Sequence, residues 1–153
     1  MALSVPNPAA LLGLAGTDLG TTEWITVGQQ RINEFADATG DHQWIHVDVE
    51  RAKTQSPFGG PIAHGFLTLS LVPALSKGSF RLENAKLAIN YGLNKVRFMT
   101  PVLVGSSIRV RSELAEATPV DDNTVNLIVK HTIEIDGVAK PAAVAEMIVR
   151  AVY

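Results

Sequence analysis

The longest regular pattern in the chain is an alternation of apolar and polar positions. Val125, Leu127, Val129, His131, Ile133 and Ile135 share one face of a segment whose other face carries Asn126, Lys130, Thr132 and Glu134. Ile108, Val110, Ser112 and Leu114 alternate with Arg109, Arg111 and Glu113 in the same way. A period of two residues is that of a strand with one buried face. Asp121-Asp122-Asn123 separates the two runs as a turn. Asp136-Gly137 is a hairpin signal leading into a last strand over Val138–Val152. Lys86–Asn90 and Lys95–Phe98 read as strand pieces flanking a bend at Tyr91-Gly92-Leu93-Asn94, and Pro101–Ser106 turns the chain.

The first half follows a different period. Glu23–Thr26 reads as a short strand. Thr26 then opens a helix, with Gln29 three residues on completing a capping box. Ile32, Phe35 and Ala36 recur at helical spacing, and Gly40 suits the C-terminal cap. A helical turn is expected over Asp48–Lys53 and a loop over Ser56–Pro61. The run Gly65–Val72 is apolar nearly all round, as befits a helix buried on most sides; Pro73 kinks or closes its end and Gly78 stops it. Helices followed by strands predict an α+β class rather than alternating βαβ units. The expected picture is an antiparallel sheet curved around one apolar helix, in a single domain over residues 1–153.

Composition adds exclusions. Apolar residues make up 46% and charged residues 18%, against about 25% charged in ordinary soluble domains. Either a partner subunit covers part of the surface or the domain is simply sparing with charge. The net charge of −2 comes without any Lys/Arg cluster, so no nucleic-acid surface is expected. Lys86, Lys95 and Arg97 are candidates for meeting the phosphates of a carrier. The absence of cysteine excludes disulfides, thiolate metal sites and cysteine nucleophiles. The stretch Met1–Ala15 has no basic region and is interrupted by Pro6 and Pro8. No apolar run approaches membrane-spanning length, and a cytoplasmic location without membrane contact is expected.

Two stretches carry candidate chemistry. Asp41 follows the helix-ending Gly40, and His46 lies five residues on, in a segment without clean periodicity. A carboxylate and an imidazole on a loop between rigid elements can hold one water and move protons in both directions. The bland alternative is a local turn bond for Asp41 and a packed His46. His42 and His46 stand four apart, a metal-ligand spacing on a helix, but no third ligand accompanies them and the segment does not read as helical, so no metal is expected. The second stretch is Pro61-Ile62-Ala63-His64-Gly65, ahead of the apolar helix. The first N–H groups of a helix lack internal partners, and a glycine there admits a ligand closely. Such an N–H can polarise a carbonyl; equally, Gly65 can serve close packing. No dinucleotide fingerprint, P-loop or Gly-x-Ser-x-Gly elbow occurs.

Taken in order, these blocks resemble the MaoC-like, (R)-specific enoyl-CoA hydratases of hot-dog fold. The first block reads Phe35…Thr39-Gly40-Asp41-His42-Gln43-Trp44-Ile45-His46-Val47-Asp48, the second Pro61-Ile62-Ala63-His64-Gly65-Phe66, and the third Arg97-Phe98-Met99-Thr100-Pro101-Val102-Leu103-Val104-Gly105. The run Ala88–Phe98 is most similar to mycobacterial-type single-domain members. The resemblance covers about residues 20 to 150 and implies a hot-dog domain with a five- or six-stranded sheet. It implies a homodimer acting on an acyl-CoA thioester without a cofactor. It further implies Asp41 and His46 as the catalytic pair, and Gly65 N–H as donor to the thioester carbonyl. Gln43 and Trp44 depart from the family's Asn-Pro; Gln43 can still hydrogen-bond. His64, Tyr91 and Asn94 are further candidates for lining the substrate site. The implied reaction is hydration of a trans-2-enoyl thioester to the (R)-3-hydroxyacyl product. Dehydration on acyl carrier protein, thioester hydrolysis and non-catalytic acyl-thioester binding are the alternatives.

Overall fold

A computed structural model describes residues 3–153. The alternating segments form β6 (Ser107–Asp121), β7 (Thr124–Ile135) and β8 (Ala143–Val152), joined antiparallel in sequence order. With β2 (Thr17–Thr21), β3 (Ile25–Thr26) and β5 (Leu87–Phe98) they make a six-stranded sheet in the order β2-β6-β7-β8-β5, with β3 also paired to β6. Every inward position named on β6 and β7 is buried. Of these, Ile108, Val110, Ile133 and Ile135 meet the central helix, which runs as α5 (Gly65–Ser70) and α6 (Val72–Ser76). Leu67 and Val72 pack there with Val27, Ile32, Val110, Ile133 and Ala145 in the main core.

Several expectations change in physical detail. The capping box does not form. Thr26 is taken into β3, its Oγ1 lying 3.3 Å from Ser107 Oγ, so α2 (Gln29–Thr39) starts behind Gly28 and the Gln29 side chain turns to other partners. The bend at Tyr91–Asn94 is not a break. β5 stays paired to β8 throughout and absorbs its extra residues as register shifts at Asn90/Gly92 and Leu93/Lys95. The stretch between Gly40 and Asp48 holds one helical turn, α3 (Trp44–Val47), and Asp48 caps α4 (Val49–Gln55) by accepting from Arg51 N at 3.0 Å. Pro73 sits in the first turn of α6, where its missing N–H is harmless. It therefore begins a second helical segment rather than closing the first. The last strand starts at Ala143, beyond Pro141.

The N-terminal region is built into the fold. β1 (Leu3–Val5) pairs in parallel with β4 (Phe80–Leu82), and α1 (Pro8–Leu12) follows it. Val5, Leu11 and Leu19 join Leu114, Val125, Leu127 and Val129 in a second apolar cluster at the far end of the sheet. At the opposite margin β5 has no strand beyond it, and Leu87, Ile89, Tyr91, Leu93 and Phe98 are all exposed along it. No helix among the described residues is long and apolar enough to cross a membrane.

One polar pair interrupts the buried face. Ser112 and His131 stand opposite each other on β6 and β7, both buried, with Ser112 Oγ 2.8 Å from His131 Nδ1. Burial depresses the imidazole from 6.5 to about 4. The unfolded chain therefore binds the extra proton between these values, and stability is complete above pH 6.5 and falls as pH drops toward 4. The contribution is about 3 kcal/mol over that window, and the buried His46, also lowered, acts in the same sense. Urea denaturation at stepped pH should show this decline, and the double variant His131→Leu/Ser112→Ala should lose the His131 share of it.

Candidate active site

The site begins where α2 stops. Gly40 adopts a left-handed conformation, φ 79°, and its N–H donates to Ala36 O at 2.8 Å, which turns the chain out of the helix. Asp41 follows, exposed, its Oδ1 accepting from Gln43 N at 3.4 Å in a loose local turn. The single turn of α3 then carries His46 inward until only 6% of it is exposed. Three bonds hold that turn. His46 N donates to Gln43 O, Gln29 Nε2 donates to His46 O at 2.8 Å, and Ile62 N donates to Ile45 O at 3.1 Å.

The His46 ring is fixed as firmly as its backbone. Nδ1 lies 2.7 Å from Ile62 O. A carbonyl only accepts, so Nδ1 carries the hydrogen and Nε2 keeps its lone pair. Burial is the main influence on this imidazole and lowers its proton affinity. The Ile62 bond opposes that, His64 reinforces it, and Asp41 opposes it. The result is a histidine held in one tautomer and biased toward the uncharged form, which is the state a general base requires.

His64 completes the cluster. It is buried, stacked on His46 with ring centroids 3.9 Å apart and flanked by Phe35 at 5.0 Å. Its Nε2 lies 2.9 Å from Asp41 O, and its Nδ1 is buried without a partner in the chain. Ligand atoms of Asp41, His46 and His64 lie within 4.8 Å of one another. Such a trio can be considered for a cation, but the two rings are only 24° from parallel. Lone pairs in the planes of stacked rings run side by side rather than converging on one ion at about 2 Å. One water bonded at ~2.8 Å to two groups at a tetrahedral angle spaces them about 4.6 Å apart. The spacing suits a water shared by Asp41 and His46 better than a metal.

Gly65 opens α5 directly after His64, and its N–H has no partner within the helix. A Cβ at this position would lie 3.1–3.2 Å from the Phe98 ring, so the glycine allows β5 to close over the helix start. Beside it is a cavity of about 240 Å³ walled by Ile62, Thr68, Phe98, Met99 and Val102. Asp41 and His46 do not line this cavity, nor do they line the larger ones, about 730 and 660 Å³, toward the other end of the central helix.

The remaining candidates are dispersed. Gln43 is exposed at the N-cap of α3, and Trp44 carries the Arg51 guanidinium 4.2 Å from its ring centroid. His42 is not beside His46: it bonds Asp37 Oδ1 at 2.9 Å on the surface, which raises its proton affinity. Tyr91 lies under Arg150, 4.0 Å from the guanidinium carbon, and Asn94 is exposed at the second register shift. Lys86 Nζ donates to Tyr153 O, while Lys95 and Arg97 are exposed on β5. Gln29 had no functional reading from the sequence. Its hold on the His46 carbonyl spans 17 positions, and only the fold brings the two together.

In architecture the chain is a hot-dog protein: an antiparallel sheet curled around a central helix. It belongs to the family described as MaoC like domain, which matches residues 12–135. It is 54% identical over 142 residues to the 3-hydroxyacyl-thioester dehydratase Z of Mycobacterium tuberculosis, covering 93% of each chain. A solved structure described as a monoamine oxidase regulatory protein from Archaeoglobus fulgius superposes with TM-score 0.82 at 25% identity, covering 99% of this chain and 97% of that one. The (R)-hydratase from A. caviae involved in PHA biosynthesis superposes with TM-score 0.68 at 25% identity, covering 88% of this chain and 94% of that one. Membership in this family makes the chain one of the hydratases and dehydratases, enzymes that add or remove water.

Gly65→Ala tests the close approach to Phe98. Crowding of this kind costs ~1–3 kcal/mol, offset by about 1 kcal/mol of better helix propensity. A net loss of about 1 kcal/mol in chemical denaturation is expected, largely recovered by adding Phe98→Leu.

Proposed function

We propose that the protein interconverts trans-2-enoyl-CoA and (R)-3-hydroxyacyl-CoA thioesters, with Asp41 and His46 handling one water. The observation that carries this reading is the state of His46: buried, tied through Nδ1 to Ile62, with a ring nitrogen within 4.8 Å of an Asp41 carboxylate oxygen. Gly65 N–H donates to the thioester oxygen as it gains charge, in the manner of an oxyanion donor. In the hydration direction His46 Nε2 takes one proton from the water as its oxygen bonds to C3. Asp41, as the acid, delivers a proton to C2. Return of the proton from His46 to Asp41 resets the site, so one H and one OH are added in all. Dehydration is the same path reversed, and the name of the mycobacterial relative accords with it.

The substrate needs more room than one protomer offers. The cavity beside Gly65, about 240 Å³, falls below the ~300–1,000 Å³ of usual ligand sites. The apolar edge of β5 is exposed next to Phe66 and Phe98, which meet edge to face at 6.2 Å. A homodimer that continues the sheet across β5 would cover this edge and supply further walls for the acyl chain, in keeping with the low charged fraction.

Two measurements test these readings. Purified protein should bleach the enoyl absorbance of crotonyl-CoA, and the product should be oxidised only by an (R)-specific 3-hydroxyacyl dehydrogenase. Asp41→Asn and His46→Gln should each lower kcat by at least ~10²-fold while the fold is retained. Near-normal turnover in either variant sinks the mechanism, and release of free thiol points to a thioesterase instead. For assembly, sedimentation should give twice the 16.4 kDa protomer mass. Leu93→Arg on β5 should shift the population to protomers, and an unshifted Leu93→Arg profile would place the interface elsewhere.

A further inference from the structure

His64 is an unusual choice for a buried position. It is 2% exposed, packed between Phe35 and His46, in a place that an apolar ring could fill. Its Nδ1 is shut away from solvent with no hydrogen-bond partner in the chain, an arrangement that works against stability. A polar group kept where it destabilises calls for another explanation. Its other contacts supply one. Nε2, 2.9 Å from Asp41 O, must be the donor because a carbonyl only accepts. This bond crosses from the start of the central helix to the loop after α2 and fixes the main chain of Asp41, a residue whose own side chain has only a loose local bond. The opposite contact is the ring face. His64 lies flat on His46 at 3.9 Å, so that ring can neither tilt nor slide without moving His64.

We infer that His64 is a positioning residue: one buried imidazole holds the Asp41 main chain through Nε2 and the His46 ring through stacking, so that the acid and the base are set relative to each other. This assignment rests on the Asp41/His46 reaction proposed above and replaces a substrate-lining role for His64. It also has an electrostatic side. Two imidazolium rings at 3.9 Å repel, so His64 favours the uncharged form of its neighbour. The titratable groups acting on His46 are Asp41 and His64. From the packed helices, Asp37 on α2 is engaged by His42 and Arg51 on α4 lies over Trp44.

Three variants separate the two contacts. His64→Phe keeps a ring against His46 and removes the donor. His64→Gln keeps an N–H able to reach Asp41 O and removes the stack. His64→Ala removes both. Misplacement of a catalytic group by about 1 Å lowers turnover by ~10²-fold. We expect a loss of that order in kcat for His64→Phe, with KM for crotonyl-CoA little changed, and partial recovery in His64→Gln. In both, the acid limb of kcat/KM should move to higher pH, because His46 then holds its proton more readily; a purely structural role would leave that limb in place. Wild-type kcat together with an unmoved limb in His64→Phe overturns the inference. Nitrogen-15 imidazole NMR reads the same device without turnover. The wild-type protein should show His46 protonated at Nδ1 and His64 at Nε2, with the His46 titration moving upward in His64→Gln. An unmoved titration also overturns the inference. Absence of activity toward every enoyl thioester would instead defeat the proposed reaction, leaving the NMR result to decide the role of His64.

Discussion

The two backbone groups of Ile62 fix the geometry on which the candidate site rests. Ile62 N donates to Ile45 O, and Ile62 O accepts from His46 Nδ1. Its neighbours are held on the other side: Ala63 N donates to Val102 O and Val104 N to Pro61 O, around an isolated bridge between Ile62 and Leu103. The segment Pro61–Ala63 is thus an extended strip between the α3 turn and the approach to β6. It is buried, so every one of its polar groups must find a partner, and the partners it finds are the groups that aim His46. Loss of registry here would release the imidazole and leave buried donors unsatisfied together, which couples the integrity of the site to that of the core.

The same strip leads into Gly65, so His46 and the Gly65 N–H hang from three consecutive links of one chain segment. The sheet supplies the opposing wall. Phe98, the last residue of β5, rests against the glycine and would crowd any side chain there. The β5 edge that carries Phe98 is a margin of the sheet with no further strand among the described residues. A protein that leaves such an apolar edge open invites pairing, and here the open edge and the undersized cavity adjoin.

The sequence made the sheet legible because two-residue alternation survives whatever the tertiary context, as β6 and β7 show. The central helix was legible for the opposite reason, since a segment apolar on all sides has few places to go. Short elements were not. β1 and β4 have three residues each and gain their order only by pairing across 77 positions. The Thr26–Gln29 cap failed because a β-bridge to Ser107 claimed the threonine first, a competition that no local pattern reveals. Asp41, His46 and Gly65 could be singled out through motif blocks. The contact between His64 and the Asp41 carbonyl could not, since it joins residues 23 apart through the packing of two elements. The bend expected at Tyr91–Asn94 did not form, because the ladder to β8 continues through register shifts, and Tyr91 lies beneath Arg150.

The four histidines show why residue type alone does not locate chemistry. His42 has a carboxylate partner but stands in solvent, where Asp37 favours its charged form. His131 is buried and uncharged, but its hydrogen-bond partner is a serine on the next strand, and no carboxylate faces it. His64 donates to a main-chain carbonyl and presents its ring, not a free acidic neighbour, to the site. His46 combines burial, a tautomer fixed by Ile62 and a lowered proton affinity, whereas the second ring nitrogen of the buried His64 is shut away from solvent. Burial without the Ile62 bond would leave the tautomer undetermined, and the bond without burial would leave the ring more easily charged. The setting of His46 therefore belongs to the junction between α3 and the Pro61–Ala63 strip, and the rest of the fold serves to keep that junction closed.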